Sequence, residues 1–158
     1  MKNVSRSSAY IIIFIFLTCL SGYFVYRFIL NNSLCMAAGR GDNREVRALL
    51  KRGANVNGRG YGYVTPLLSA VEGNHADTAI LLLDNGADIE AANNMNTPLV
   101  WAAMNDDPKM VEALLQRGAQ QDAVEGVRLS ALQTAEEYKH PQIAEIMRKA
   151  WSKKLQPK

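Results

Sequence analysis

The chain has 158 residues, a length that suits one small domain with an accessory segment and does not require two cores. Its net charge of +3 is unevenly distributed, because residues 1–30 contain three basic and no acidic side chains. Residues 31–138 contain 9 basic and 14 acidic side chains, a net of −5. Such a body lacks the concentrated basic face of a nucleic-acid-binding protein, so we expect no nucleic-acid partner.

The first predicted element is an uncharged apolar run over residues 9–26, with Lys2 and Arg6 before it and Arg27 after it. As a helix rising about 1.5 Å per residue, this run would be roughly 27 Å long, close to the hydrocarbon thickness of a bilayer. We therefore predict that residues 1–30 form a transmembrane or signal-anchor segment. The chain would then be a single-pass membrane protein held through residues 9–26.

Two other interpretations of the apolar run remain open. A cleaved signal peptide fits its basic start, although the small-x-small site Cys19-Leu20-Ser21 is poor and apolar residues resume at once. A buried core helix would need an amphipathic pattern, which the run lacks. If the anchor is retained, the basic N-terminal tail favours a cytoplasmic N terminus. The rest of the chain would then face the non-cytoplasmic side, which is the periplasm in a bacterium.

After this run, one pattern recurs with a period of 32–33 residues. Its starts are Asn32-Ser33-Leu34, Thr65-Pro66-Leu67, Thr97-Pro98-Leu99 and Ser130-Ala131-Leu132. The first three units continue with a leucine run and then a glycine-alanine pair. Four phased units of this length predict a stacked solenoid. We place the units at about 32–64, 65–96, 97–129 and 130–150 within a repeat domain of residues 31–150, and a basic tail at 151–158.

Each unit is predicted to be a pair of helices. Thr97-Pro98 provides a cap followed by a proline in the first turn, and Asp107-Pro108 repeats this for the second helix. Gly118 follows that second helix, at a place where a left-handed conformation ends a helix. Because one helix pair cannot bury its apolar face alone, the units are expected to stack on each other.

These motifs resemble the ankyrin-repeat family, whose units carry Thr-Pro-Leu-His-x-Ala, then Gly-His, then Leu-Leu-x-x-Gly-Ala-Asp. The matching segments are "TPLLSA" at 65–70, "LLLDNGADIEA" at 81–91 and "TPLVWAA" at 97–103. The resemblance covers about residues 32–150. It implies an all-α, ankyrin-repeat solenoid of helix-turn-helix units with short projecting hairpins, preceded here by one hydrophobic N-terminal helix. The fourth unit is degenerate and resembles a C-terminal cap.

The chain departs from the family pattern in its motif histidine and in its hairpins, and the connection after the second unit is one residue short. The histidine of the Thr-Pro-Leu-His motif is replaced in every unit, by Cys35, Leu68, Val100 and Gln133. The Asp-x-x-Gly signature of the family's hairpins is missing from the three connecting segments. The resemblance therefore predicts the helix packing more firmly than the shape of the hairpins.

Residues that could carry chemistry do not form a recognisable site. His75 and His140 fall where the family carries Gly-His at the start of the second helix, and paired ligands for a metal are missing. Asp106-Asp107 is interpreted as a turn and a cap, and "GRGYG" at 58–62 lacks the Lys-Ser/Thr of a phosphate loop. No nucleophile, base and orienting group are suggested together. We expect no enzyme activity, no cofactor, no metal and no small-molecule substrate.

The resemblance implies that hairpin tips and the exposed face of the first helices bind a protein partner, whose identity the sequence leaves unknown. The candidate residues at those places are Arg59, Tyr61, Tyr63, Glu72, Asn93, Asn94, Asn96, Met104, Asn105 and Tyr138. Tyrosine and arginine dominate binding hot spots, which favours the first three. Alternatively, the two tyrosines fold back onto the second unit. Trp101 is expected to pack between repeats.

The predicted function is a membrane-tethered, non-enzymatic protein-interaction module. The alternative is a secreted soluble regulator or inhibitor, similar to an immunity or effector protein, produced by signal-peptide cleavage. A mature N terminus near Gly22 would indicate the secreted form.

Overall fold

The computed structural model describes the backbone of residues 6–93, 96–120 and 130–154, and the side chains of 18–93, 96–120 and 130–152. These ranges contain helices and one isolated bridge but no β-strand, so the predicted all-α repeat fold is confirmed. The helices are α1 (Arg6–Gly39), α2 (Asn43–Lys51), α3 (Pro66–Glu72), α4 (Ala76–Asp84), α5 (Pro98–Met104), α6 (Pro108–Gln116), α7 (Ala131–Glu137) and α8 (Pro141–Lys154). A single 3₁₀ turn, Tyr61–Tyr63, lies between α2 and α3.

The helices form two rows. The first helices of the units contact one another in the order α1, α3, α5, α7, and the second helices do so in the order α2, α4, α6, α8. Within each unit, the two helices also pack on each other. Each unit therefore contacts its neighbours along the chain, as a solenoid requires.

The capping residues start the first helices as the sequence predicts. The hydroxyl groups of Thr65 and Thr97 accept hydrogen bonds from the backbone N–H of Leu68 and Val100, each with a proline in the following turn. Ser130 forms a reciprocal capping box with Gln133. These bonds satisfy N–H groups that a helix start would otherwise leave unpaired.

Glycines end the second helices. Gly53, Gly86 and Gly118 follow α2, α4 and α6 with φ of 89°, 85° and 91°. A side chain is rarely tolerated at such φ values, so glycine is the residue that suits these turns. The predicted end of the second helix of unit three at Gly118 is confirmed.

One apolar core runs through the stack from Leu30 to Met147. Alanines that recur in phase lie at its centre, with relative exposures between 0% and 1%: Ala37, Ala70, Ala102 and Ala135. Their small side chains let neighbouring first helices approach closely, and larger residues such as Leu67 and Leu99 fill the space between the rows.

The connecting segments differ from the hairpins that the resemblance implies. The first forms the 3₁₀ turn at Tyr61–Tyr63, closed by a backbone hydrogen bond from Gly60 N–H to Val64 C=O. The second contains one isolated bridge between Asn93 and Asn96. Most of the third, residues 121–129, lies outside the described residues. The missing Asp-x-x-Gly signature is consistent with this departure, because the family's hairpin turn depends on it.

Helix α1 joins the apolar run to the first unit without a break, since its backbone is helical from Arg6 to Gly39. No helix in the described part of the chain is both long and apolar enough to cross a membrane. The anchor through residues 9–26 therefore stays a prediction, and the side chains of its first half lie outside the described residues.

The described side chains of α1 change environment at Leu30. Leu30 and Leu34 are buried against the repeats, with 3% and 0% exposure. The preceding turns expose a set of large apolar side chains: Leu20, Tyr23, Phe24, Val25, Tyr26, Phe28 and Ile29. Helix α1 thus belongs to the repeat core at its C-terminal end and leaves that core towards its N terminus.

Candidate protein-interaction surface

An open groove of about 470 Å³ lies between the first helices of units one and two and the connection between them. Helix α1 contributes Asn32, Cys35, Met36 and Gly39 to its wall. The end of α3 contributes Ser69, Glu72 and the following Gly73, and the first connection contributes Tyr61 and Val64. We call this feature the unit 1–2 groove. It brings together two of the sequence-predicted candidates, Tyr61 and Glu72.

The groove forms because small residues occupy places that carry large ones in unit three. In the repeat alignment, Ser69 corresponds to Trp101, and Gly39 corresponds to Met104. Trp101 and Met104 are half-buried and pack against the core. Ser69 and Gly39 leave that volume empty in units one and two.

The two tyrosines of the first connection are largely exposed to solvent. Tyr61 and Tyr63 are 75% and 78% exposed, and Tyr63 adopts a left-handed φ of 59°. The Tyr61 ring makes an edge contact with Phe28 of α1, with 5.2 Å between ring centroids. Its backbone N–H donates to Asn32 Oδ1 at 3.1 Å. The tip therefore rests against α1, and both rings keep most of their surface available to a partner.

Arg59 is already bound within the chain. Its Nη1 donates to the backbone carbonyl of Tyr63 at 2.6 Å, and the guanidinium also reaches the carbonyl of Ala92 at 3.4 and 3.5 Å. These contacts join the first connection to the second. Arg59 positions the tyrosine tip and has fewer donors left for a partner.

The candidate asparagines of units two and three are largely used to hold neighbouring segments together. Asn93 is buried, with 8% exposure, and its Oδ1 accepts from Trp101 Nε1 at 2.8 Å. Asn105 donates to Val71 C=O at 3.3 Å and to Asn74 Oδ1 at 3.1 Å. Asn93 thus binds the following helix α5 and Asn105 binds the preceding unit, so little of Asn93 remains for a partner.

The other candidates differ in exposure. Asn96 and Met104 are half-buried, and Asn96 Nδ2 lies 3.8 Å from Met104 Sδ. Tyr138 is 48% exposed and stacks on His140 at the far end of the solenoid. Asn94 lies outside the described residues. The structure therefore separates Tyr138 from the groove by two units.

Sequence reasoning missed most lining residues of the groove, among them Asn32, Cys35, Met36, Gly39, Val64 and Ser69. A signal for them was present in the repeat alignment. Unit two has Ser69 where unit three has Trp101, and unit one has Gly39 where unit three has Met104. Such a large-to-small change within aligned repeats indicates where a gap between first helices will open.

Two side chains of the groove could carry a negative charge, the Cys35 thiol and the Glu72 carboxyl group. Burial raises the pKa of the Cys35 thiol to about 11, and hydrogen bonds to its sulfur offset this only in part. The thiol is 7% exposed and donates to Val64 C=O at 3.4 Å. Cys35 is therefore a neutral, weakly polar part of the floor at neutral pH. Glu72, which is exposed, is the acidic side chain of the groove wall.

The two histidines contact the turn of the preceding unit. The His75 ring lies so close to Gly41 and Gly73 that a Cβ at either glycine would be within 2.8 Å of it. His140 Nδ1 lies 3.4 Å from Asp106 Oδ1. The contacts with Gly41 and Asp106 join successive units, and the contact with Gly73 lies within unit two. Within the described ranges, no cluster of three His, Cys, Asp or Glu side chains could hold a metal ion.

Rows of stacked helix pairs with exposed loop tips define a repeat protein of the interaction-module class. A family model described as "Ankyrin repeats (3 copies)" matches residues 25–93, and a model described as "Ankyrin repeat" matches residues 94–125. Together they cover well over half of the sequence. The chain belongs to the ankyrin-repeat family, whose members are generally non-enzymatic modules that bind other proteins.

Curated relatives share the repeats over part of the chain. The Drosophila melanogaster "Ankyrin repeat and KH domain-containing protein mask" is 39% identical over 92 residues, 56% of this chain and 2% of the relative. The human "Ankyrin repeat and KH domain-containing protein 1" is 38% identical over 95 residues, 58% of this chain and 4% of the relative. The human "Ankyrin repeat domain-containing protein 63" is 33% identical over 115 residues, 70% of this chain and 30% of the relative. The chain thus spans only a small part of these relatives' length.

Proposed function

We propose that this chain is a membrane-tethered ankyrin-repeat module that binds a protein partner and catalyses no reaction. Residues 9–26 hold it in the bilayer, and the repeats face the non-cytoplasmic side. The partner binds the first connection and the neighbouring first-helix face. The observation that carries this proposal is the exposure of apolar and aromatic side chains at the N-terminal end of the stack, on α1 and on the tyrosine tip.

The tether is supported by the environment of α1. Seven large apolar side chains between Leu20 and Ile29 are at least 40% exposed. Such a concentration of apolar surface is unusual for a chain surrounded by water and is typical of surfaces that meet a membrane or another protein. Because α1 continues from this part directly into the core, an anchor would hold unit one at the membrane surface.

The binding surface is supported by the tyrosine tip. Tyr61 and Tyr63 offer rigid aromatic area at low entropic cost, and Arg59 and Asn32 hold the loop that carries them. A loop already fixed by hydrogen bonds loses less conformational freedom on binding than a free one. This is the arrangement expected of a binding hot spot.

Membrane fractionation of the full chain tests the tether. The wild-type chain should resist extraction by alkaline carbonate, and a reporter fused after Lys158 should be active only on the non-cytoplasmic side. As a matched control, Ile12→Lys with Phe16→Lys places two charges in the apolar run and should release the chain into the soluble fraction. A wild-type chain that carbonate extracts would refute the tether. A mature N terminus near Gly22 would instead support the secreted form.

Substitution of the tyrosine tip tests the binding surface. The yield of partner complexes isolated from membranes with the full chain should fall at least tenfold when Tyr61→Ala and Tyr63→Ala are combined. Trp151→Ala removes an exposed aromatic side chain of α8, which is not among the candidate residues, and should leave the yield unchanged. Equal yields from all three chains would remove the tip from the binding surface.

A further inference from the structure

The middle of the solenoid is strongly acidic in composition. Residues 60–108 contain seven acidic side chains and no lysine or arginine. Six of the seven are used in hydrogen bonds or ion pairs within the chain: Asp77, Asp84, Asp88, Glu90, Asp106 and Asp107. Glu72 is the seventh, and within the described ranges it has neither a hydrogen bond nor an ion pair.

Glu72 lies on the wall of the unit 1–2 groove, beside apolar surface. Met36 is 56% exposed and Tyr61 is 75% exposed, and both line the same groove. The remaining walls are small or neutral, since they consist of residues such as Gly39, Ser69 and the buried Cys35 thiol. The groove therefore presents one unpaired carboxylate next to an exposed thioether and an aromatic ring.

The size of the groove restricts its occupant. A volume of about 470 Å³ falls within the range of roughly 300–1,000 Å³ that ligand sites occupy, and it suits a few side chains of a peptide. The groove is open to solvent, so a peptide segment can reach its lining residues. A cationic side chain is the complement of Glu72, and a linear apolar side chain is the complement of Met36 and Tyr61.

We propose that the unit 1–2 groove binds a short segment of the partner protein that places a lysine or arginine on Glu72 and an adjacent apolar side chain against Met36 and Tyr61. This inference rests on the proposed function and specifies the chemistry of its partner. Apolar burial supplies most of the affinity, because an exposed ion pair contributes little. The Glu72 carboxylate supplies orientation and rejects acidic segments.

The experiment is a selection of random twelve-residue peptides displayed on phage against the full chain, purified in mild detergent and immobilised, a format that does not depend on the tether. Wild-type protein should enrich peptides with a basic residue next to an apolar one. Glu72→Lys should bind these peptides about fivefold more weakly and, in its own selection, enrich acidic peptides instead. Glu137→Lys changes the corresponding residue of unit four, which is also exposed, and should bind as the wild type does.

A second variant tests the groove by filling it. Gly39→Met gives unit one the residue that unit three has at this place, and the new Cβ would meet Ser69 at an ordinary 3.6 Å. Its fold is checked by circular dichroism. The variant should also bind the peptides selected by the wild type at least tenfold more weakly. Because it leaves the charges unchanged, a loss in both Gly39→Met and Glu72→Lys assigns binding to the groove.

Three outcomes would overturn the inference: no peptide enriched by the wild type, the same peptides enriched by Glu72→Lys, or full binding by Gly39→Met. The proposed function would survive each of them if the tyrosine tip still retrieves a partner and the chain still resists carbonate. Loss of the tether alone would leave the peptide result unchanged.

Discussion

At the scale of single residues, a few polar side chains decide how the connecting segments lie on the helices. Trp101 Nε1 donates to the buried amide oxygen of Asn93, and this bond holds the second connection against α5. The backbone N–H groups of Asn93 and Asn96 each donate to the carbonyl of the other residue, which closes the loop tip. A buried polar atom is costly only when it loses its partner, so this pair is a sensitive point of the structure.

Trp101→Phe is therefore expected to destabilise the protein by about 1–2 kcal/mol, because it keeps an aromatic ring but leaves the buried Asn93 oxygen unpaired. The measurement is the free energy of unfolding from urea denaturation. Trp151→Phe is the matched control, since Trp151 is 38% exposed and makes no described hydrogen bond. A loss of similar size in both variants would show that indole area matters and the hydrogen bond does not.

At the scale of elements, α1 serves two purposes in one helix. Its C-terminal turns supply the first helix of unit one, packed on α2 and α3. The turn around Arg27 is fixed by a hydrogen bond from its guanidinium to Gly53 C=O, just beyond the end of α2. One helix therefore contributes both the first helix of unit one and the exposed apolar segment that precedes it.

Two neighbouring residues of α1 test this arrangement. Leu30→Ala removes a side chain that is 3% exposed and should cost about 2–4 kcal/mol of stability. Ile29→Ala removes a side chain that is 57% exposed and should change the free energy of unfolding by less than about 0.5 kcal/mol. Urea denaturation of the chain in detergent gives both values. Equal effects would mean that α1 does not pack on unit one as described.

At the scale of the whole molecule, stability comes from contacts between successive units. Hydrogen bonds between neighbouring connections and ion pairs between neighbouring helices accompany the apolar core, as in the pairs Asn57–Asp88 and Arg117–Asp84. Among the described helices, units two and three each contact two neighbouring units, and unit four contacts one. The terminal pair α7 and α8 should thus open more easily than the centre.

Native-state hydrogen exchange can show this difference. Ile143→Ala, in the last unit, should speed exchange of the amides in α7 and α8 by tenfold or more while the α4 amides keep their protection. Leu82→Ala, in the second unit, should speed exchange in every unit, because it weakens two interfaces. A uniform loss of protection in both variants would show that the solenoid unfolds as one unit.

Much of the fold could be predicted from local patterns. Thr65, Thr97 and Ser130 signal helix starts through capping that depends only on residues three positions away, and Gly118 signals a helix end through its own φ. The phase of the alanines predicts which faces meet. These signals are local or periodic, so one sequence is enough to show them.

The candidate site was predicted less completely. Position in the repeat identified Tyr61 and Glu72, which the structure brings to one groove, but it also selected Asn93 and Asn105, whose amides bind within the chain. Whether an exposed-looking loop residue turns outward depends on partners about 8 to 34 residues away. A pattern of residue types carries no information about those distances.

The sequence by itself determined the repeat length, the starts of α3, α5 and α7 and the family of this protein, because these follow from local capping and a sustained period. Only the tertiary structure decided where the gap between units opens, which acidic side chain stays unpaired and which tyrosines face solvent. These features depend on how volumes and charges from different units meet in space, and that is settled when the units pack.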